Sequence, residues 1–302
     1  MSAPIGEQYV ISRGTSRAVI TEVAAALREF SIDGVALTES YPETATPPFA
    51  DGIVLMPWPN RVEDGIWLLD GQQQQLDLTE PDKHNAIHGL LRNTGYRLVE
   101  RSESSVTLGA TVFPQHGYPF LLETTVRYEL VDGGLAVTHW VTNLSEQKAP
   151  VAVGTHPFLR IGDVPSEDLV ITAHASTYFD VDERLNPLAE LPVEGTRFDL
   201  RAGARIGDLE LDTAFGEVRT VDGVSAVLRA PDGREVRLLQ DGNHGYLQVF
   251  ITPIFPKDGG LRTAVAIEPM TAPPNAFNTG LGLRWLEPGA QWSLGWGIQY
   301  SG

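Results

Sequence analysis

The sequence contains no cysteine among its 302 residues. Disulfide bonds and thiolate metal ligands are therefore excluded. Basic residues are also few: 22 lysines and arginines stand against 39 aspartates and glutamates, for a formal net charge of −17. Such a charge repels phosphate backbones and anionic membrane surfaces, and no basic patch in the sequence offsets the repulsion. Nucleic-acid and membrane partners are not expected.

Long apolar runs are missing as well. The first twenty residues contain no continuous hydrophobic segment, and no run of about 18 apolar residues occurs in the sequence. Neither a signal peptide nor a membrane-spanning helix is predicted, so we expect a cytoplasmic protein. All-β sandwiches of about 200–250 residues commonly form one unit, and we expect a single domain over residues 1–302.

The sequence is rich in short alternating segments separated by turn residues. Residues 124–145 alternate on both sides of Asp132-Gly133-Gly134, and residues 225–242 do so around Pro231-Asp232-Gly233. Both patterns are typical of β-hairpins. The segments GYLQVFITPI, LRTAVAIEP and QWSLGWGIQY continue the alternation. These patterns predict an all-β, antiparallel protein.

One segment, ITEVAAALREFSIDGV, fits two structures. Its alanines suit a helix, whereas the alternation of Val19, Thr21, Val23, Ala25 and Leu27 suits a strand. We favour strands here, in keeping with the rest of the chain.

Two ionisable residues end apolar runs directly before a proline. His156 closes VAVGTH and precedes Pro157, and Glu268 closes AVAIE and precedes Pro269. A residue before proline is biased away from the helical conformation. We therefore expect both side chains at strand ends, along the rim of a sheet.

Other polar residues lie in unusual settings. Asn60 and Arg61 follow the corner Pro57-Trp58-Pro59, whose prolines restrict the backbone and can aim a guanidinium. Asp212 lies between apolar neighbours. His84 and His88 are four residues apart, which predicts a common face on a helix or a strand.

A metal site is not predicted from the two histidines, because the zincin glutamate and all cysteines are missing. The polar residues also have ordinary structural interpretations. His156 suits a buried structural histidine, Arg61 a surface ion pair, Asp212 a turn acceptor and His88 a loop contact.

Five short motifs in order resemble those of the aldose 1-epimerases, or mutarotases, of the galactose mutarotase-like superfamily. They are Asn60-Arg61 with Gly65, Asn85-Ala86-Ile87-His88-Gly89, His156 in GTHPF, Leu211-Asp212, and Glu268 before Pro269. The common family form has Tyr-Phe-Asn-Leu after the histidine. Here Pro157-Phe158-Leu159-Arg160 follows, as in the branch that includes bacterial sulfoquinovose mutarotases.

The resemblance implies a β-supersandwich with an open cleft, and interconversion of the α and β anomers of a free aldohexose. It implies Glu268 as general base on the anomeric hydroxyl and His156 as general acid on the ring oxygen. Unperturbed pKa values of about 4.3 for Glu and 6.5 for His would leave the glutamate ionised and the histidine partly protonated near neutrality. Neither a cofactor nor a metal is implied.

The implied substrate contacts are Asn60, Arg61, His88 and Asp212, with Trp58 or Phe158 covering an apolar face of the sugar. The sugar itself is the expected partner, and we expect a monomer or a homodimer.

Substrate identity is the open question. We expect a neutral aldohexose such as glucose or galactose. The alternative is an anionic sugar, sulfoquinovose or a hexose 6-phosphate, with Arg92 or Arg160 binding the anion. Either arginine suits a rim ion pair equally well. A non-catalytic carbohydrate-binding module is expected to lack His156 or Glu268, and a glycoside hydrolase normally needs two carboxylates.

Overall fold

The computed structural model describes residues 3–257 and 259–302, and most regular structure there is β-strand. The strands are numbered β1 to β27 in chain order. The first nine are β1 Gln8–Arg13, β2 Ser16–Thr21, β3 Leu27–Ile32, β4 Val35–Ala36, β5 Val54–Leu55, β6 Arg61–Glu63, β7 Ile66–Leu69, β8 Gln72–Gln75 and β9 Asn85–Ile87. The next nine are β10 Arg97–Arg101, β11 Ser105–Val112, β12 Leu122–Val131, β13 Gly134–Asn143, β14 Ala149–Val151, β15 Gly154–Thr155, β16 Phe158–Leu159, β17 Val170–Ala173 and β18 Thr177–Val181. The last nine are β19 Pro187–Pro192, β20 Ala204–Arg205, β21 Asp212–Gly216, β22 Val224–Arg229, β23 Glu235–Gln240, β24 Tyr246–Lys257, β25 Gly260–Met270, β26 Arg284–Leu286 and β27 Gln291–Ser301.

Helical structure in this part of the chain is short. It comprises one α-helix, α1 Ala276–Thr279, and four 3₁₀ turns at Pro48–Ala50, Pro81–Lys83, Ser166–Asp168 and Ile206–Asp208. None of the helices within residues 3–257 and 259–302 has the length and apolar character needed to cross a membrane.

Two large antiparallel sheets form the body of the protein. One has nine strands in the order β10-β11-β12-β13-β27-β23-β22-β17-β20. The other has eight, ordered β19-β18-β21-β24-β25-β15-β5, with β16 also paired to β25. Apolar side chains of both sheets, such as Val137 and Ile298 from the first and Val249 and Ile267 from the second, belong to one buried cluster. The predicted all-β sandwich is confirmed.

The sequence-predicted hairpins are confirmed. Strands β12 and β13 pair from Leu122 with Asn143 to Val131 with Gly134, and β22 pairs with β23. The ambiguous segment, residues 20–35, contains the end of β2, all of β3 and the first residue of β4. Between β2 and β3 lies a turn in which Ala24 and Ala25 have φ values of 59° and 46°. Left-handed residues break a helix, so the strand interpretation holds.

Strand β25 brings the two pre-proline residues together. Gly154 of β15 pairs with Met270, and Phe158 of β16 pairs with Ala266. This register puts His156, in the break between β15 and β16, opposite Glu268.

The expectation that Glu268 ends a strand at a sheet rim is wrong. Strand β25 continues through Pro269 to Met270 and lies between β24 and β15. Proline is tolerated there because its missing N–H faces the break in the partner strand, between the amides of Ile267 and Thr271, which donate to Pro157 and Val153.

Candidate active site

Glu268 and His156 line a cavity of about 390 Å³. His156 Nε2 lies 3.3 Å from Glu268 Oε1, and both side chains are buried. The other polar atoms of the two groups, His156 Nδ1 and Glu268 Oε2, are buried without a hydrogen-bond partner among the described residues. Buried polar atoms of this kind are costly unless a partner satisfies them. The pair therefore has unused hydrogen-bonding capacity.

The neighbouring strands extend the polar surface of the cavity. Gln248 of β24 pairs with Glu268 in the register of the sheet. Its Nε2 donates to Asp212 Oδ1 at 2.6 Å, and its Oε1 accepts from Asn60 Nδ2 at 3.2 Å. Gln248 thus fixes both an acid and an amide that the sequence predicted as site residues.

Arg61 is held by a carboxylate on each side. Its Nε and Nη2 donate to Glu80 at 2.8 and 2.9 Å, and its Nη2 lies 3.8 Å from Asp212 Oδ2. Burial alone would lower the pKa of Arg61, but the Glu80 hydrogen bonds and the charge of Asp212 raise it. The guanidinium is therefore a fixed cation with largely compensated charge.

His88 enters the site through the pairing of β6 with β9. Its backbone amide donates to Asn60 O at 2.9 Å, and its ring centroid lies 5.4 Å from that of His156 at an interplanar angle of 82°. His88 and Gly89 have φ values of 64° and 72°. A Cβ at Gly89 would lie 2.1 Å from Met56 O, so the Asn-x-x-His-Gly motif requires its glycine here.

The apolar wall of the cavity differs from the expectation. Phe49 and Phe250 line it, with their ring centroids 5.9 Å apart. Trp58 is buried against Phe277 in the core. Phe158 stacks on His156 at 5.3 Å, is fully buried, and does not line the cavity. The prediction that Trp58 or Phe158 covers a sugar face is therefore wrong.

Burial opposes the charges expected on the central pair. Desolvation raises the pKa of Glu268 well above its usual value; the nearby Asp212 raises it further, and Arg61 lowers it. Desolvation lowers the pKa of His156 to about 4, with smaller lowering by Arg92 and Arg61. Both shifts favour the uncharged forms, a protonated carboxyl on Glu268 and a neutral imidazole on His156. These shifts oppose the ionised pair expected from unperturbed pKa values, and the pair carries one transferable proton in either arrangement.

Asp212 and His88 share this tendency toward the neutral form. Desolvation raises the pKa of Asp212, although Arg61 lowers it. Desolvation also lowers the pKa of His88 well below its usual value, with His156, Arg92 and Arg61 adding to the effect. Burial in the cavity therefore disfavours isolated charge on both side chains.

His84 does not share a face with His88, contrary to the sequence-based prediction. It lies exposed in a left-handed turn after Pro81–Lys83, where its Nδ1 is 2.9 Å from Asp64 Oδ1. Both histidines adopt left-handed conformations outside strand β9, so four-residue spacing does not align them. Within residues 3–257 and 259–302 no group of three or more His, Asp or Glu side chains is arranged to hold a metal ion.

Sequence reasoning missed three polar residues that line the cavity, Thr79, Glu80 and Gln248. Glu80 directly precedes Pro81, the same pattern that drew attention to His156 and Glu268. Gln248 is a polar residue inside the apolar strand β24, two positions from the cavity-lining Phe250. The position of Glu80 before a proline and that of Gln248 within an apolar run can both be read from the sequence.

Comparisons with known sequences give one family. The sequence model described as Aldose 1-epimerase matches residues 7–299. The chain is 31% identical over 285 residues to the Escherichia coli (strain K12) protein YihR, covering 94% of this chain and 90% of that protein. It is 34% identical over 158 residues to galactose mutarotase of Rattus norvegicus, covering 49% of this chain and 44% of that protein.

Solved structures with low sequence identity share the fold. The GalM/aldose epimerase homologue from C. elegans superposes with a TM-score of 0.85 at 17% identity, covering 98% of each chain. A putative aldose 1-epimerase from Escherichia coli K12 gives 0.84 at 20% identity, covering 98% of this chain and 99% of that one. Galactose 1-epimerase from Lactobacillus acidophilus NCFM gives 0.80 at 21%, covering 97% and 94%.

Proposed function

The chain belongs to the aldose 1-epimerase family and is an isomerase, and from this premise we propose that it interconverts the anomers of a free aldohexose through His156 and Glu268. The observation that carries the proposal is the 3.3 Å contact between His156 Nε2 and Glu268 Oε1, each group keeping a second buried atom free for a ligand. The relatives named galactose mutarotase support an aldohexose of the galactose or glucose type.

The chemistry needs one proton delivered to the ring oxygen and one removed from the anomeric hydroxyl. In our proposal His156 delivers the first and Glu268 accepts the second. Proton transfer from Glu268 to His156 across their contact creates the reactive arrangement, an imidazolium and a carboxylate. Ring opening then returns the neutral pair, because His156 has given up its proton and Glu268 has gained one.

Reclosure uses the same two groups in reverse. Glu268 returns a proton to the aldehyde oxygen as the ring oxygen attacks, and His156 takes the proton of the attacking hydroxyl. Rotation of the aldehyde between the two steps exposes its other face, so the opposite anomer forms. General acid–base catalysis contributes about 10²–10⁴-fold for a well-placed group.

The remaining cavity residues are proposed to hold the sugar. Asn60, Arg61, His88 and Asp212 offer donors and acceptors to the ring hydroxyls, and Gln248 joins them as a fifth polar contact. Phe49 and Phe250 provide an apolar surface for the C–H face of the ring. No step requires a cofactor or a metal.

The competing functions are less well supported. A binding module has no use for a buried proton-transfer pair. In a glycoside hydrolase two carboxylates flank the bond, whereas Asp212 is tied to Gln248 and lies near Arg61, and the partner of Glu268 is a histidine. We also propose one domain over residues 1–302, a monomer or homodimer, and a cytoplasmic location, in agreement with a family match over residues 7–299.

Polarimetry of freshly dissolved pure anomers tests the function. The protein is expected to accelerate the approach of rotation to equilibrium for at least one aldohexose. His156→Asn and Glu268→Gln are each expected to lower kcat by about 10²-fold or more while the circular dichroism spectrum is retained. Near-normal turnover in either folded variant would remove that residue from the mechanism.

A further inference from the structure

Asp51 is a buried acid that the proposed reaction does not use. Its exposed fraction is 0%, and it does not line the cavity. Its Oδ1 accepts a hydrogen bond from Phe158 N at 3.4 Å, and its Oδ2 is buried without a hydrogen-bond partner among the described residues. Burial raises the pKa of this carboxyl well above its usual value, while the Phe158 amide and the charge of Lys257 act in the opposite direction. Burying an acid with so few partners costs free energy.

The neighbouring buried acid, Glu39, has cationic partners. Its carboxylate lies 3.5 Å from Arg160 Nη1 and also pairs with Arg262. This pairing engages Arg160, which the sequence offered as an anion ligand and which does not line the cavity, whereas the other candidate, Arg92, does line it. Glu39 is thus explained by its ion pairs, and Asp51 needs another explanation.

The segment before β5 holds the backbone of His156. Gly52 N donates to His156 O at 2.8 Å, and His156 N donates to Ile53 O at 3.1 Å. Gly52 has a φ of 75°, and a Cβ there would lie 2.3 Å from Leu27 O, so this close approach requires glycine. Asp51 directly precedes the residues that bind the main chain of His156.

The amide of Phe158 lacks an acceptor on its partner strand. Ile267 N donates to Pro157 O at 3.2 Å. Phe158 therefore pairs with Ala266 without mutual hydrogen bonds, and its own N–H points away from β25. On that side the side chain of Asp51 is the acceptor. Because a buried amide without an acceptor is costly, Asp51 supplies what strand pairing does not.

The ring of Phe158 connects this hydrogen bond to the imidazole. It stacks on His156 with the centroids 5.3 Å apart and an interplanar angle of 26°. Phe255 lies 5.0 Å from the same phenylalanine ring, which is fully buried. A shift of the Phe158 backbone would therefore move the imidazole relative to Glu268, whose Oε1 is 3.3 Å from His156 Nε2.

We propose that Asp51 is a positioning residue, which fixes the His156 imidazole against Glu268 through the backbone and ring of Phe158. This inference rests on the proposed function of the pair. The hydrogen bond from Phe158 needs an acceptor oxygen and no charge, which agrees with a location where burial disfavours the ionised acid.

Two substitutions of similar shape separate the hydrogen bond from the rest of the side chain. Asp51→Asn keeps an acceptor oxygen, and Asp51→Leu keeps the branched shape without one. Asp51→Leu is expected to lower kcat for mutarotation about tenfold and to leave KM within about twofold, because the proton-transfer geometry changes and the sugar contacts do not. Asp51→Asn is expected to keep kcat within about twofold of the wild type.

Ser145→Ala is the matched control. Ser145 Oγ accepts from Leu121 N at 2.7 Å, so this variant also removes the side-chain acceptor of a backbone amide, and neither residue lines the cavity. It is expected to lower the urea midpoint and to leave kcat unchanged. If Asp51→Leu does not fold, Asp51→Ala takes its place in the comparison with Asp51→Asn.

Nuclear magnetic resonance of isotope-labelled histidine rings reports the placement of His156 without a substrate. The His156 signal is identified by its loss in His156→Asn. Asp51→Leu is expected to shift this signal, because the ring moves relative to Phe158 and Glu268. Asp51→Asn and Ser145→Ala are expected to leave it in place.

Either an unchanged kcat or an unmoved His156 signal in folded Asp51→Leu would overturn the inference, and so would an equal loss of kcat in Asp51→Asn. These outcomes leave the proposed function standing. A wild-type protein that accelerates no mutarotation would instead reject the proposed function, and the His156 signal alone would then decide whether Asp51 places the ring.

Discussion

At the residue scale, the ionisation of His156 and Glu268 is governed by burial. Both side chains are nearly inaccessible to solvent, and their pKa values move in opposite directions, that of His156 down to about 4 and that of Glu268 upward. The two pKa values belong to a coupled pair, so a titration reports its two protonation steps. Between these steps the pair holds one proton, the number that the proposed reaction needs.

We therefore predict a kcat/KM that stays constant over a wide pH range. As pH falls through about 4, His156 gains a proton while Glu268 is already protonated, so neither group accepts one. As pH rises through the raised pKa of Glu268, the pair loses its only proton. The check is a pH profile of initial rates, corrected for the uncatalysed reaction. An acid limb near 6.5, the value for an exposed histidine, would contradict it.

These residue properties were only partly predictable. His156 and Glu268 were identified from their positions before proline, because that pattern is local. The shifts of their pKa values were not predicted, because desolvation depends on strands far apart in the chain. The same limit applies to Phe49, whose place beside Phe250 depends on contacts 200 residues apart in sequence.

At the element scale, the connection between β4 and β5 carries local strain into the cavity wall. Phe49 and Ala50 both have left-handed conformations, with φ values of 50° and 63°. This conformation costs about 1–2 kcal/mol for a residue with a Cβ. Strain of this kind persists where surrounding contacts fix it, and here it places Phe49 in the cavity.

Glycine at position 50 should relieve part of this strain. Ala50→Gly removes the Cβ conflict but adds freedom to the unfolded chain. Ala45→Gly, in the same connection and outside the left-handed region, adds the freedom alone. The free energy of unfolding of Ala50→Gly is expected to exceed that of Ala45→Gly by about 1 kcal/mol in urea titrations. Equal values would mean that the Ala50 conformation is not strained.

The strands and turns were easier to predict from the sequence than the residues of the site. Alternation and Asp-Gly or Pro-Asp-Gly-Arg turns fix β12–β13 and β22–β23 locally, and both hairpins were found. The extension of β25 past Pro269 was missed, because it depends on a break in the partner strand at His156. The different placements of His84 and His88 were missed because left-handed residues interrupt the expected period.

At the scale of the whole molecule, the cavity exists only when the eight-stranded sheet is assembled. Its residues come from β21, β24, β25 and the β15–β16 break, joined by Asn60, Arg61 and His88 from outside that sheet. Activity and sheet structure should therefore disappear together on unfolding.

Core weakening offers a test of this coupling. Ile267→Ala, in β25 beside Glu268 but within the buried core cluster, is expected to cost about 2–5 kcal/mol. The urea midpoints for activity and for far-ultraviolet circular dichroism should coincide in the wild type and shift together in the variant. Loss of activity well before loss of strand signal would indicate that the cavity opens locally.

The division between strands and connections has an evolutionary consequence. Glu268 lies on strand β25, and His156 lies in the break between β15 and β16, which both pair with β25. A register slip of one residue would turn a strand's side chains to the opposite face. Phe49, Glu80 and Arg92 lie on connecting segments, which tolerate substitution and insertion. Selection can therefore change which sugar is accepted while the proton chemistry is inherited intact. Related proteins with this architecture are therefore expected to differ in substrate before they differ in reaction.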